Sequence, residues 1–226
     1  MKLILFDLDG TLLTTGGIGQ RSSKKALETV FGTAKNLEKI YLGGRTQEAI
    51  FADTLKDAGI DQLDYQAKRD QLYDYFLKTF IDGIKNGTHS IKPLPGALEV
   101  VDVLRSNENI SLGIVTGNHL DIAVLKLTQA GFNPGWFPVG AFGHESASRP
   151  DLVPMAQKRA EAKTGLNFPG KSTIVVGDTT RDVLSAKSVN AMSIALTSGT
   201  DTRQMLEAVK PDFIFDEIKE VLAILE

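Results

Sequence analysis

Two carboxylates one residue apart end the first apolar run of the chain. Residues 3–11 read Leu-Ile-Leu-Phe-Asp-Leu-Asp-Gly-Thr, so Asp7 and Asp9 follow directly on four apolar side chains. In an extended segment, residues i and i+2 project to the same side. Such a pair can hold a hard cation such as Mg²⁺, or divide the work of nucleophile and acid/base. The same residues also fit a strand that merely ends in a polar Asp-Gly turn. Two further apolar runs end in polar groups: Thr116-Gly117-Asn118 follows residues 111–115, and Gly177-Asp178-Thr179-Thr180-Arg181-Asp182 follows residues 172–176. Asp178 opposite another acid pair would be self-repulsive without a cation. Asn118 is also placed to cap the helix after it, and Thr179 with Asp182 fits a capping box.

The elements that must bring these groups together follow from the apolar pattern. Residues 2–6 are too short and too β-rich for a helix and read as a buried strand that turns at Gly10. Thr14-Thr15-Gly16-Gly17-Ile18-Gly19 has no apolar period and reads as a flexible connection. Residues 20–84 then carry three helical patterns and no strand. Their apolar faces are Ala26, Leu27, Val30 and Phe31; Ile50, Phe51, Leu55 and Ala58; and Leu72, Tyr73, Phe76, Leu77, Phe80, Ile81 and Ile84. The aromatic stripe on the third reads as helix-bundle core. Residues 85–96, rich in Gly, Pro and Asn, form the return connection. From there helices over 97–105, 120–130, 152–163, 183–188, 202–209 and 218–225 alternate with strands over 111–115, 137–142, 172–176, 191–196 and 212–215. This alternation implies a parallel α/β sheet covered on both faces. The three polar strand ends would then lie along one sheet edge, where open α/β sheets bind ligands. A turn needs one acid and no counterpart on other strands, so their convergence marks a site.

Composition limits the alternatives. The 226 residues are 42% hydrophobic and 23% charged, an ordinary globular balance with room for one core or for a core carrying an inserted smaller domain. Net charge is −3, from 25 basic and 28 acidic side chains well mixed along the chain, so neither a nucleic-acid stripe nor a basic membrane face is expected. With no cysteine, disulfides, thiolate catalysis and zinc-thiolate sites are excluded. The first residues lack the pattern of an export signal, and the expected location is the cytoplasm.

Asp7-Leu8-Asp9-Gly10-Thr11, Val115-Thr116-Gly117-Asn118 and Gly177-Asp178-Thr179-Thr180-Arg181-Asp182, in this order, resemble the motifs of the haloacid dehalogenase superfamily. The likeness spans the chain and is strongest for the phosphoglycolate phosphatase and β-phosphoglucomutase branches. It implies a Rossmann-like core over 1–15 and 90–226 with a C1-type, all-helical cap over 16–89. It further implies a phosphatase acting on a small phosphorylated metabolite. Asp7 would be the nucleophile that forms an aspartyl-phosphate. Asp9 would be the general acid and base, protonated when substrate binds and so with a raised pKa. Mg²⁺ would be held by Asp7, the Asp9 backbone carbonyl and Asp178, with Asp182 one layer out. The Thr116 hydroxyl, the amides of Leu8 and Gly117, and Asn118 would bind the phosphoryl group, with Gly117 letting the backbone come close.

The resemblance breaks at the third motif, where the family usually places a lysine and this chain has Ser148-Arg149-Pro150-Asp151. Arg149 can bridge Asp7 and phosphate as a planar fork; the alternative is a surface arginine on a polar loop. In the cap, Gly43-Gly44-Arg45-Thr46 resembles a substrate-facing loop, and Arg45 can reach a second anionic group or lie in solvent. His119 reads as a helix-start residue or as part of the pocket rim, and His89 and His144 as solvated loop residues. A phosphomutase shares the same core. A metal-free 2-haloacid dehalogenase would not need Asp9 and Asp178, and a silent phospho-ligand sensor would not need the intact acids. Both a monomer and a homodimer fit the sequence.

Overall fold

The computed structural model describes residues 1–87 and 90–225. Strand β1 (Lys2–Phe6) lies at the centre of the sheet. After a two-residue strand, β2 (Leu13–Thr14), the chain forms α1 (Ile18–Phe31), α2 (Gln47–Asp57) and α3 (Gln62–Lys85), then returns through β3 (Lys92–Pro93). The rest alternates: α4 (Ala97–Arg105), β4 (Ile110–Thr116), α5 (Leu120–Gln129), β5 (Val139–Phe142), α6 (Leu152–Thr164), β6 (Thr173–Gly177), α7 (Thr180–Ser188), β7 (Met192–Leu196), α8 (Arg203–Ala208) and β8 (Phe213–Phe215). A 3₁₀ helix over Ile218–Ile224 follows.

The six strands of the main sheet are parallel in the order β5-β4-β1-β6-β7-β8. Strand order therefore reverses about β1, which pairs with β4 on one side and β6 on the other. Phe6 is level with Ile114 and with Val176, so the three polar segments leave the sheet at one height. Such a switch point opens a crevice at the carboxyl ends of the strands.

Side-chain alternation along β1 divides the core. Ile4 and Phe6 face the side covered by α4 and α5, with Leu112, Ile114, Val100 and Leu127. Leu3 and Leu5 face the opposite side, with Leu152, Val153 and Ala156 of α6. Both faces are buried, which is why the strand is apolar throughout.

The helices between β2 and β3 pack on one another around Leu27, Phe51, Leu72, Phe76 and Phe80, all buried. Phe51 makes edge contacts with Tyr73 and Phe76 at 5.3 and 5.6 Å between ring centres. The aromatic stripe is thus core, except that Ile81 is exposed. This apolar cluster is continuous with the one under α4 and α5. At the root of the insert β2 pairs antiparallel with β3, so both connections expected to be irregular contain a short strand.

Several other boundaries differ from expectation, two of them for a physical reason. Helix α7 starts at Thr180 rather than 183, because Thr179 caps it and Thr180-Arg181-Asp182 form its first turn. Strand β5 begins after Pro138, which cannot donate to the ladder. The last helix, expected over 218–225, is 3₁₀. Residue 89, where the insert was expected to end and one of the three histidines, lies outside the described residues. Among those described, no helix is long and apolar enough to cross a membrane.

Candidate active site

Asp7 sits one residue past β1, its amide still donating to Val176 O at 2.9 Å. Its side chain is buried and accepts Nη2 of Arg149 at 2.9 Å. Burial pushes the Asp7 carboxyl up; Arg149 opposes this while Asp182 and Asp9 add to it, and the balance is about 6. Arg149 comes from the turn that starts α6, on the sheet face toward which Leu5 points. It is 5% exposed, so it is not a surface arginine. The same Nη2 also donates to Val115 O at 3.2 Å and to Asp182.

Asp178, one residue beyond β6, is also buried. Burial, Asp7 and Asp182 hold its carboxyl well above the usual range, against the Thr200 amide and the Thr11 hydroxyl, each donating at 3.1 Å. Gly10 makes room for it: at φ 82°, a Cβ there would lie 2.5 Å from Asp178 Oδ2. Asp182 has two roles. Its Oδ2 completes the capping box of α7 by accepting the Thr179 amide at 3.1 Å and hydroxyl at 2.6 Å, while Oδ1 faces Arg149.

Carboxylate oxygens of Asp7, Asp178 and Asp182 lie within 4.8 Å of one another. Three buried hard oxygen donors, with the Asp7 and Asp178 carboxyls both held above their ordinary range, are the donor set a divalent cation such as Mg²⁺ neutralises. The trio differs from the expected set in including the Asp182 carboxylate.

The Asp9 carboxylate is turned elsewhere. Lys126 donates to both its oxygens, at 2.8 and 2.7 Å, Asn118 Nδ2 donates at 2.7 Å, and the Thr15 hydroxyl at 3.3 Å. Burial would raise its pKa, but the Lys126 charge and these hydrogen bonds outweigh it, and the carboxyl is held below its ordinary value. The raised pKa expected of Asp9 is therefore the reverse of what its neighbours impose here.

Thr116 is buried at the end of β4 and accepts Asn118 Nδ2 at 2.7 Å; Asn118 Oδ1 in turn accepts Lys126 at 2.7 Å. Asn118 does not cap α5. His119 does, its Nδ1 accepting the Asp121 amide at 3.2 Å. The Leu8 carbonyl accepts the amides of Thr11, Leu12 and Leu13, which closes the turn and leaves the Leu8 amide out of it. Gly117 does permit a close approach, though of the insert: its carbonyl accepts the Gln47 amide at 2.8 Å, and a Cβ on it would lie 2.0 Å from Arg45 O. The Glu48 amide is taken likewise by Gly143 O at 3.0 Å, so the first turn of α2 is fastened to the sheet edge. Arg45 lines the cavity but pairs with Asp53 of α2, the helix that follows it. His144 is half-buried rather than free in solvent; its ring lies 4.1 Å from that of His119, and its Nδ1 is buried without a hydrogen-bond partner among the described residues.

These groups share one cavity of about 530 Å³, lined by Asp7, Asp9, Thr116, Lys126, Arg149 and Asp178 among others. Lys126, Thr15 and Thr200 are members that the motifs did not point to. Lys126 had a signal: it falls with Ile122, Ala123 and Leu127 on the buried stripe of α5, where a charge needs a partner.

A sequence model described as hydrolase, haloacid dehalogenase-like hydrolase, matches residues 1–190. Among curated proteins, the chain is 24% identical to a pyrophosphatase PpaX of Oceanobacillus iheyensis, over 100% of this chain and 97% of that protein. It is also 24% identical to a phosphoglycolate phosphatase of Vibrio parahaemolyticus, over 100% and 96%. Among solved structures, a hydrolase from Pseudomonas syringae superposes with a TM-score of 0.72 at 21% identity, covering 100% of this chain and 98% of that one. CbbY from Rhodobacter sphaeroides, in complex with phosphate, superposes with a TM-score of 0.71 at 18% identity, covering 98% and 96%.

Proposed function

The chain belongs to the haloacid dehalogenase-like hydrolases, and from that premise we propose that it is a Mg²⁺-dependent phosphatase of a small phosphorylated metabolite, working through an aspartyl-phosphate on Asp7. The observation that carries this reading is that one cavity brings together a buried carboxylate at the end of the central strand, a buried guanidinium on it, and a second, separately held carboxylate two residues on. The names of the relatives, a pyrophosphatase and a phosphoglycolate phosphatase, support phosphoryl transfer as the chemistry.

An Asp7 oxygen attacks phosphorus, and the bond to the leaving oxygen breaks as Asp9 gives that oxygen a proton. Water then attacks the aspartyl-phosphate, Asp9 takes the proton, and phosphate and free Asp7 result. Asp9 is ionised beside Lys126 before substrate arrives. A dianionic phosphate entering next to it disfavours that charge and supplies the tendency to take up the proton it later donates. The Thr116 hydroxyl, the Leu8 and Gly117 amides and Arg149 serve the equatorial phosphate oxygens, and Asn118 holds Asp9 and Thr116 in register. Asp7, Asp178 and the Asp9 carbonyl, backed by Asp182, would hold Mg²⁺, which when bound neutralises nucleophile and phosphate so that they can approach. Residues 16–89 act as a cap over the core of 1–15 and 90–226, and Arg45 meets a second anionic group of the substrate on leaving Asp53.

Phosphate release from a panel of phosphomonoesters and pyrophosphate with Mg²⁺ tests the reading. Turnover of at least one compound, abolished in Asp7→Asn, is expected. No turnover by a folded preparation, or an unchanged rate in Asp7→Asn, overturns it. Conserved ester phosphate in the product would assign a mutase instead.

A further inference from the structure

A second cavity, of about 290 Å³, shares Arg45 and Arg149 with the first but is otherwise formed by α2, residues 147–150 and α7. Three of its lining residues are arginines, Arg45, Arg149 and Arg181, and none is acidic. The carboxylates that pair with two of them, Asp53 with Arg45 and Asp7 and Asp182 with Arg149, do not line it. Among the described residues Arg181 pairs with no carboxylate. Its Nη1 donates to Gly43 O at 2.6 Å, and its guanidinium lies 5.8 Å from the centre of the Tyr41 ring. Arg149 carries a buried Nε without a hydrogen-bond partner among the described residues. In a chain of net charge −3 this gathers three permanent positive charges around one small space.

We propose that this cavity is a binding site for a small tetrahedral oxyanion, of the phosphate or sulfate kind, held chiefly by Arg181 with Arg45 and Arg149. Guanidinium groups present paired N–H donors that match such oxygens, and their mutual repulsion falls when an anion lies between them. The first amides of α2 do not compete for it, because Gln47, Glu48 and Ala49 already donate to Gly117 O, Gly143 O and the Thr46 hydroxyl. The volume holds an oxyanion with several waters at roughly 30 Å³ each. Leu184, 49% exposed, marks the mouth. An anion there reaches the guanidinium that holds Asp7 through a cavity Asp7 does not line, so its occupancy is coupled to the catalytic cavity by Arg149 and Arg45, which line both.

Crystals of the full chain soaked in selenate test this by anomalous scattering. A selenium peak within hydrogen-bonding distance of Arg181 is expected, and its absence overturns the proposal. Arg181→Leu should remove the peak. That change also breaks the bond to Gly43, so Leu184→Glu, which sets a carboxylate at the exposed mouth and leaves Arg181 in place, is the second variant and should remove it too. In solution, sulfate binding followed calorimetrically should weaken about tenfold in each variant, the loss expected of one charge-assisted contact or its neutralisation. Equal affinity in wild type and both variants overturns the proposal. None of these measurements needs turnover, so failure of the phosphatase reading and failure of this site give different results.

Discussion

Arg149 Nη2 lies 2.9 Å from Asp7 Oδ1, with both side chains buried, so the proposed nucleophile is held by a cation of the chain itself. A single nitrogen also serves Val115 O and Asp182, which ties the end of β4, the nucleophile and the cap of α7 to one group. Lysine keeps the charge but is a shorter point donor, and cannot meet all three acceptors from the same backbone position. Arg149→Lys should fold and lose about tenfold in kcat, whereas Arg149→Met should lose about a thousandfold. The methionine variant leaves two buried carboxylates unpaired and should also lose about 3–5 kcal/mol of stability, read from urea unfolding. Equal rates in the two variants would show that the charge is not what matters.

Lys126 sets the protonation of Asp9. It is buried, lies 5.6 Å from the Phe80 ring centre on α3, and gives its ammonium to Asp9 and Asn118. Lys126→Met removes the attraction that lowers the Asp9 pKa while leaving the desolvation that raises it, so that carboxyl should titrate higher. Carbon-13 carboxylate resonances followed against pH report this directly, and an unmoved Asp9 titration refutes it. In the enzyme, the limb of the rate profile that depends on protonated Asp9 should extend to higher pH.

The acid trio makes stability without metal depend on pH in a defined direction. Asp7 and Asp178 have folded-state pKa values above their unfolded ones, Asp7 at about 6, so the folded state binds protons more tightly. Metal-free protein should therefore gain stability as pH falls from neutral through about 6, and lose it as pH rises through the same window. Mg²⁺ should flatten this dependence. Asp178→Asn relieves the repulsion and can still accept from Thr11; it should raise the metal-free melting temperature at neutral pH by about 2–4 °C while abolishing activation by Mg²⁺. A melting temperature that falls on mild acidification would reject this account.

Most of the sheet was legible because its strands are buried on both faces and read as apolar runs, and β1 was located to the residue. The proposed site was legible to the extent that its groups stand at strand ends: Asp7, Thr116, Asn118, Asp178 and Asp182 gather along one edge, and Arg149 joins them from the turn before α6. Partners supplied by the third dimension were not legible. The sequence places Asp9 beside Asp7, but Lys126, 117 residues away, decides its protonation. Arg45 stands in a loop shaped for a ligand, yet Asp53, eight residues on and about two turns along α2, comes back to pair with it. Strands β2 and β3, two residues each, carry no periodic signal at all.

Gly117 links the insert to the sheet edge, and that link can be tested without touching a charged group. The backbone of Gly117 comes so close to Arg45 O that a Cβ would lie 2.0 Å from it, far inside contact distance, with Arg149 Nη1 at 3.2 Å on another side. Both neighbours belong to the proposed site, and one of them is main chain that cannot rotate away. Gly117→Ala must therefore displace residues 45–47 or break the Gln47 to Gly117 bond, and with it the start of α2. The hydrophobic contacts of α1, α2 and α3 with one another are remote from this point, so the variant should unfold within about 1 kcal/mol of wild type. Its kcat/KM should fall by about a hundredfold, the scale expected when a positioning segment shifts by an ångström. Hydrogen exchange should quicken at the Gln47 and Glu48 amides, which donate across the link, and stay as slow as in wild type within β1 and β4. Unchanged exchange at those two amides would mean that the insert is held elsewhere, by Arg181 on Gly43 O and Arg69 on His144 O.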